Sequence, residues 1–335
     1  MRSKKNVETT RLKKGETLKK EFNNYVDMAT SAVDWTLFCT YQLQPNFSKG
    51  VHKILQLPTM QIAYSNLSGG IMFDYVSPKE CLTFSVMQNI SKKACIEQMK
   101  LETGMITIVD DKKVYNFLCS DKVELIDISL NKNADPLLLK QLRCAVDKYY
   151  LDGEQNITKL IKNFIDAYGD GENTILNTDI SMQIEKEITE TMLELLNTQE
   201  PHTPQFTKSE KVALKIKKRL FRHMDHQMTV SSLAENYNIS IKSLQNAFNS
   251  LFGISPKYFM RVLKLNLVHH ELVQSDTTET TVQKIAQKWG FMHMGHFSKY
   301  YTEFFGENPS ITLKESIPAI DGMKQHCVER QEEIV

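Results

Sequence analysis

Gln245 and Asn246 stand side by side, with Lys242 and Ser243 just before them, in a stretch whose apolar residues Leu244 and Phe248 fall four apart. On a helix that spacing turns Leu244 and Phe248 inward and leaves the four polar side chains outward. Gln and Asn each offer a donor and an acceptor that can pair bidentately with adenine, and Lys can donate to guanine. Ser240 is placed to cap such a helix. A second stretch repeats the plan. Phe297 and Tyr301 form its inward pair, Met294, Gly295, Ser298 and Lys299 its outward face, and His296 lies beside them. That face is poor in bidentate donors. Set against DNA, two such faces would place direct base readout mainly on the first helix, with thymine-methyl, phosphate and shape contacts from the second.

Other chemistry finds no support. His223/His226 and His293/His296 share a spacing that can hold a metal on a helix, but neither pair has a carboxylate or Cys in a ligand pattern. GxGxxG, GxxxxGK[ST], GxSxG and HExxH are absent, and the Asp110-Asp111 pair falls in an expected turn. No catalytic residue, metal or cofactor is expected. Six scattered Cys (39, 81, 95, 119, 144, 327), without a CxxC, read as reduced thiols of a cytosolic protein. No apolar run approaches the roughly 18 residues a membrane span needs. Met1-Arg2-Ser3-Lys4-Lys5 has no apolar stretch behind it, as a secretory signal would. A cytoplasmic location without membrane contact is expected.

Two near-copies of one unit hold the outward faces in place. The first runs Leu233-Ala234-Glu235-Asn236-Tyr237-Asn238-Ile239-Ser240, then Leu244, Phe248, Phe252-Gly253 and Pro256. The second runs Ile285-Ala286-Gln287-Lys288-Trp289-Gly290-Phe291, then Phe297, Tyr301, Phe305-Gly306 and Pro309. Ala234 and Ala286 let a second helix cross closely, and Asn238 and Gly290 make the tight turn. Leu244/Phe248 and Phe297/Tyr301 keep that second helix on the core. Gly stops it and Pro starts the next. A long amphipathic helix, Pro256–Gln274, is predicted between the copies.

The charge is divided. The chain of 335 residues has a formal net charge of +1, yet residues 1–20 carry +6, residues 21–207 carry −9, residues 208–316 carry +6 and the remainder −2. An acidic body with a basic C-terminal third points to polyanion binding by one part only. Residues 1–20 read as a basic mobile tail, with a DNA-touching arm as the lesser reading. Residues 21–197 read as a β-rich domain (sandwich or small barrel) ending in helices. Its strands include Trp35–Phe38, Met60–Tyr64, Leu82–Met87, Met105–Val109 and Val123–Ile128, and its helices Pro136–Tyr150, Ile157–Tyr168 and Asp179–Leu196. In the last helix Asp179 is the expected N-cap. Ile180, Ile184, Ile188, Met192 and Leu195 form a stripe for its own core or for a homodimer. Residues 198–207 are the linker, 208–316 an all-α domain with two helix-turn-helix motifs, and 317–335 a flexible tail. Lys215, Lys217, Lys218, Arg219 and Arg222 precede the first motif as a solvated face or as phosphate contacts. Trp35, Tyr41, Phe73, Tyr75 and Phe84 lie in the strands as core residues or pocket lining.

Residues 209–315, with Gly290-Phe291…His296-Phe297-Ser298-Lys299…Phe305-Gly306…Pro309, resemble the DNA-binding domain of the AraC/XylS family. Within it, Leu244–Phe248, Trp289–Phe297 and Asn308–Leu313 look most like the branch containing the ethanolamine-utilisation regulator. A fainter echo upstream, Trp35 and Gln42-Leu43-Gln44-Pro45…Gly50, departs from that branch at Asn46. The resemblance implies a transcription regulator, an activator that contacts promoter DNA and RNA polymerase. Its recognition helices would enter successive major grooves about one duplex turn (~34 Å) apart. It also implies a small-molecule effector read by the N-terminal domain, with ethanolamine or a cobalamin as the branch's suggestion. Two other readings stand beside it: an N-terminal domain that binds a protein partner, and an enzyme-like β-barrel fused to a DNA-binding module.

Overall fold

The computed structural model describes residues 12–45, 49–97, 99–152, 156–169, 176–203, 205–224, 228–275 and 280–315. The expectations for residues 1–11, Asn46, His226 and residues 317–335 lie outside them.

The N-terminal part contains strands β1 (Thr17–Phe22), β2 (Thr36–Gln42), β3 (Gly50–Gln56), β4 (Met60–Leu67), β5 (Ile71–Val76), β6 (Leu82–Ile90), β7 (Ala94–Ile96), β8 (Met99–Leu101), β9 (Met105–Asp110), β10 (Tyr115–Cys119), β11 (Val123–Leu130) and β12 (Tyr149–Leu151). They pair antiparallel into a seven-stranded sheet, β1-β3-β4-β11-β6-β9-β12, and a five-stranded sheet, β2-β5-β10-β7-β8. Helices α1 (Tyr25–Ser31), α2 (Pro136–Ala145), α3 (Asn156–Tyr168) and α4 (Thr178–Thr198) complete this half. The C-terminal half is helical: α5 (Lys208–Arg222), α6 (Val230–Asn236), α7 (Ile241–Phe252), α8 (Pro256–Gln274), α9 (Val282–Lys288), α10 (Met294–Phe305) and α11 (Pro309–Lys314).

Strand alternation sorts the apolar residues into layers. On the seven-stranded sheet, Ile62, Phe84, Ile106, Ile126 and Ile128 face outward and pack with Leu138 and Leu142 of α2, Ile161 of α3 and Ile188 of α4. Their alternates Leu67, Met87, Val109 and Val123 face the five-stranded sheet and meet Phe73, Tyr115 and Phe117. The outer face of the five-stranded sheet is apolar too. Met72, Cys95 and Leu118, with Tyr41 and Leu43, join the same core as Phe248, Phe252, Phe259 and Leu263. Both sheets are therefore covered on both faces. This explains why β9 and the first six residues of β6 are buried throughout rather than alternately.

Several expectations need correcting. The basic tail does not extend to residue 20: Thr17–Phe22 pairs with β3, from Thr17↔Leu55 to Phe22↔Gly50. Thr17 and Phe22 are buried, and the Phe22 ring occupies the space where a side chain at position 50 would stand. The expected helix Pro136–Tyr150 stops at Ala145. Asp147 takes a positive φ of 66°, and Tyr149–Leu151 pairs with β9 instead. The N-cap of α4 is Asn177, whose side chain accepts from the Ile180 N–H, and not Asp179. Ile184, Ile188, Met192 and Leu195 join the domain's own core, whereas Ile180 is exposed. The linker is tied down, since Tyr149 and His202 form a β-bridge with rings stacked at 5.2 Å.

Candidate nucleic-acid interface

The α6–α7 and α9–α10 pairs share the same turn bond and the same left-handed positions. Ile239 N donates to the Ala234 carbonyl at 3.0 Å, and Phe291 N donates to the Ala286 carbonyl at 2.9 Å. At the turns Asn238 and Gly290 both take positive φ, 52° and 87°. Asn pays less for the left-handed region than other side chains do, and Gly pays nothing. Ala234 and Ala286 are buried, as are Leu244, Phe248, Phe297 and Tyr301. Gly253 and Gly306 end α7 and α10 in the left-handed region, their N–H groups reaching back to Asn249 and Thr302. Ser240 caps α7 by accepting from Ser243 N, whereas α10 begins at His293 without a side-chain cap.

This packing turns the polar residues outward. On α7, Lys242, Gln245 and Asn246 are exposed and Ser243 is half-buried, with Ser240 exposed at the cap. On α10, Gly295, His296 and Lys299 are exposed and Met294 and Ser298 half-buried. Gly295 has open space where a Cβ would stand, so no neighbour within the fold demands a glycine there. On α5, Lys215, Lys218 and Arg219 are exposed, and the Arg222 side chain lies outside the description. Lys217 departs from expectation. It is buried, donates to Asn116 Oδ1 of β10 at 2.7 Å and sits 5.6 Å above the Phe252 ring, so it is not available to a phosphate. Sequence reasoning missed Arg261 on α8, exposed and held 5.3 Å from the Tyr258 ring and 5.0 Å from that of Tyr300 on α10.

The C-terminal ends of α7 and α10 rest on the N-terminal half. Ser250 of α7 donates to Glu210 Oε1 at 2.9 Å, and Lys100 of β8 pairs with the same oxygen. Phe304 O of α10 accepts from Gln42 Nε2 at 2.8 Å. The long helix α8 lies along β2, an edge strand of the smaller sheet. Asn266 Oδ1 accepts from Gln42 N at 2.9 Å, Asn266 Nδ2 donates to Gln42 O at 2.7 Å, and His270 Nε2 donates to Thr40 O at 3.0 Å. Tyr258 Oη adds a bond to Leu43 O at 3.2 Å. Burial lowers the pKa of His270, partly offset by that Thr40 carbonyl, which suits a neutral ring donating one proton.

Of the aromatics singled out, Trp35, Phe73 and Tyr75 line a cavity of about 70 Å³ between the two sheets. The other two belong elsewhere. Tyr41 packs edge-on against Phe221 and His270 at the α8 contact, and Phe84 lies in the core under α2–α4. Alternation puts Phe84 on the face opposite Ser85 and Met87, whereas Tyr41 leaves the face of Leu37 because the register of β2 shifts between Phe38 and Tyr41. Among the described residues no cluster of three or more His, Cys, Asp or Glu could hold a metal ion, and no helix is long and apolar enough to cross a membrane.

The chain matches, over residues 233–315, the family described as a helix-turn-helix domain. Its relatives are transcription regulators. It is 33% identical over 92 residues to the probable thc operon regulatory protein of Rhodococcus erythropolis, over 28% of each chain. It is 32% identical over 93 residues to the XylDLEGF operon transcriptional activator of Pseudomonas putida, over 28% of this chain and 29% of that one. The matches thus span under a third of the length of either relative. The AraC-like transcriptional activator CuxR aligns over 76% of this chain and 96% of its own, at 11% identity and a TM-score of 0.42. A probable AraC family transcriptional regulator from Rhodopseudomonas palustris CGA009 aligns over 33% of this chain and all of its own, at 31% identity and a TM-score of 0.28.

Proposed function

We propose that the whole chain is an AraC/XylS-type transcription regulator, in which α6–α7 and α9–α10 are two helix-turn-helix motifs that read promoter DNA. The observation that carries this reading is the matched pair of helices with exposed N-terminal halves and anchored C-terminal ends. Such helices enter a major groove by their leading residues. Ser240, Lys242, Ser243, Gln245 and Asn246 supply base and phosphate contacts from α7. Met294, Gly295, His296, Ser298 and Lys299 supply the second set, and Arg261 adds a phosphate contact between them. A relative named a transcriptional activator supports activation, contact with RNA polymerase is part of the proposal, and the basic C-terminal third supports the DNA role. The N-terminal half would sense a signal, and a homodimer could use the exposed Ile180 and Met182 of α4. A cobalamin is too large for the cavity between the sheets, so a link to the ethanolamine-regulator branch would rest on ethanolamine or on surface binding.

Selection on randomised duplexes tests the reading. Gln245→Ala should lose about 1–3 kcal/mol at one base step and relax specificity there. An unchanged selected sequence would remove Gln245 from base readout. Gly295→Ala separates folding from binding. Stability should hold or rise by roughly 0.5–1 kcal/mol, because Ala fits the open site and suits a helix better, while affinity for the selected duplex falls. Equal affinity in a fluorescence-anisotropy titration would mean that DNA does not approach α10 at this point.

A further inference from the structure

The inner face of the seven-stranded sheet is not purely apolar. His52, Ser65, Ser85 and Asp127, from β3, β4, β6 and β11, project into the cavity between the sheets. His52 is in register with Ser65, and Asp127 with Ser85 on one side and Ala63 on the other. In the strand order β3-β4-β11-β6 they make one polar belt across four neighbouring strands. His52 Nδ1 lies 2.8 Å from Ser65 Oγ, and Ser85 donates to the Asp127 carboxylate. Facing the belt are Phe73, Tyr75 and Phe117 of the smaller sheet, and the half-buried Ala32, Trp35 and Leu37 form the mouth.

The belt is incompletely satisfied. His52 Nε2 is buried and has no hydrogen-bond partner. Asp127 accepts from Ser85, and no Lys or Arg is among the residues lining the cavity. Burial drives His52 down to about 4, opposed in part by the nearby Met28 backbone and helped by Lys20, so its ring is neutral. Burial likewise raises Asp127 to about 7, with Ser85 pulling the other way. A buried imidazole nitrogen with no donor, beside a half-buried carboxylate served by one hydroxyl, is costly, and a ligand that supplies further donors removes the cost. An anion would meet a carboxylate and no cation. A doubly polar molecule such as ethanolamine would leave the aromatic wall uncovered.

We propose that this cavity binds a small apolar amine as its ammonium ion, whose N–H groups donate to the Asp127 carboxylate and to His52 Nε2 while its hydrocarbon body lies against the aromatic wall. Binding in this way requires the tautomer in which Nδ1–H donates to Ser65 Oγ, which leaves Nε2 as the acceptor. Aromatic rings suit a cation as well. The inference rests on the regulator reading for its use in signalling. The cavity mouth is at the head of β2, whose far end is held by Asn266 and His270 of α8, so an occupant at Trp35 and Leu37 bears on the strand that positions the DNA-reading half.

The test uses the full chain and three molecules of one size that suits the cavity: propylamine, 1-propanol and propionate. At about pH 8, calorimetric titration should show propylamine binding roughly tenfold more tightly than the alcohol, the scale of one charge-assisted hydrogen bond, with propionate undetected. Asp127→Asn should remove that advantage while its own melting temperature shows that it folds. Propylamine affinity should fall toward about pH 6 as Asp127 takes up its proton, since the groups facing it, His52 and Tyr75, stay neutral over that range. Propionate or the alcohol binding as tightly as the amine, an unaffected Asp127→Asn variant, or no binding by any of the three would each overturn the proposal. DNA binding is measured separately by anisotropy. Amine binding without DNA binding would sink the regulator reading and leave the cavity, and the reverse result would do the opposite.

Discussion

Asn266→Ala is expected to destabilise the protein by roughly 2–5 kcal/mol and to separate the unfolding of its two halves. Asn266 has no exposed surface, and one amide closes both backbone groups of Gln42, the last residue of β2. An edge strand presents unpaired N–H and C=O groups at every second residue. Here Asn266 and His270, one helical turn apart on α8, satisfy Gln42 and Thr40 in place of a neighbouring strand. Alanine leaves the donor and acceptor of Gln42 buried and unpaired, each costing about 1–3 kcal/mol. The two tryptophans report on one half each, Trp35 from the β-domain and Trp289 from α9–α10. In urea, single-tryptophan variants should unfold together in the otherwise native chain and apart once Asn266 is replaced. Coincident transitions in the Asn266→Ala background would show that the apolar core shared by the halves couples them without this amide.

Much of the C-terminal architecture was legible because its signals are local. The predicted helix Pro256–Gln274 is the observed α8, whose Ser255 cap and Pro256 start lie within the same few residues. The turns after Ala234 and Ala286 were readable for the same reason, since Asn238 and Gly290 carry the positive φ themselves. The N-terminal half was harder. β5, β7, β8 and β10 form the smaller sheet with β2, yet burial on both faces blurs the alternation of β5, β7 and β10, and β8 is only three residues long. β1 was hidden by its Lys-rich composition, because its pairing depends on Gly50 making room for Phe22 some thirty residues away.

The site was legible only where exposure follows from helical spacing. Leu244 and Phe248 turned inward, and Gln245 and Asn246 therefore turned outward. Lys217 was misread because the same spacing cannot say that a second domain covers one side of α5, where Asn116 and the Phe252 ring wait for its ammonium. His52 and Asp127 did leave a trace. Each is a polar residue beside apolar ones on an inward strand face, Ile54 next to His52 and Leu125 next to Asp127, a break that becomes informative only once the strands are known to be neighbours. Asn266 left none. An asparagine in a helix is ordinary until an edge strand lies beside it.

Glu210→Gln should cost about 2–3 kcal/mol at neutral pH, and the loss should shrink as the solution is acidified. Glu210 closes the capping box of α5 with Thr207, which donates to Oε2 from both N and Oγ1 at 3.0 Å. Its Oε1 takes Lys100 from the N-terminal half and Ser250 from α7. One buried carboxylate thus ties together a helix start, the rear of α7 and a strand of the other domain. Burial alone would raise its pKa, but Lys100, Thr207 and Ser250 together outweigh it and hold Glu210 at about 2. A folded-state pKa below the unfolded value means that the stabilisation is complete above about 4.5 and is lost as pH falls toward 2. Glutamine keeps the shape and one acceptor without the charge. The urea stabilities of the native chain and the variant should therefore differ most near neutrality and converge as pH falls to about 2. Lys100→Met in both backgrounds completes a double-mutant cycle that isolates the cross-domain pair. If the gap stayed constant from neutrality to acid, the packing of the side chain and not its charge would be what joins the two halves at this point.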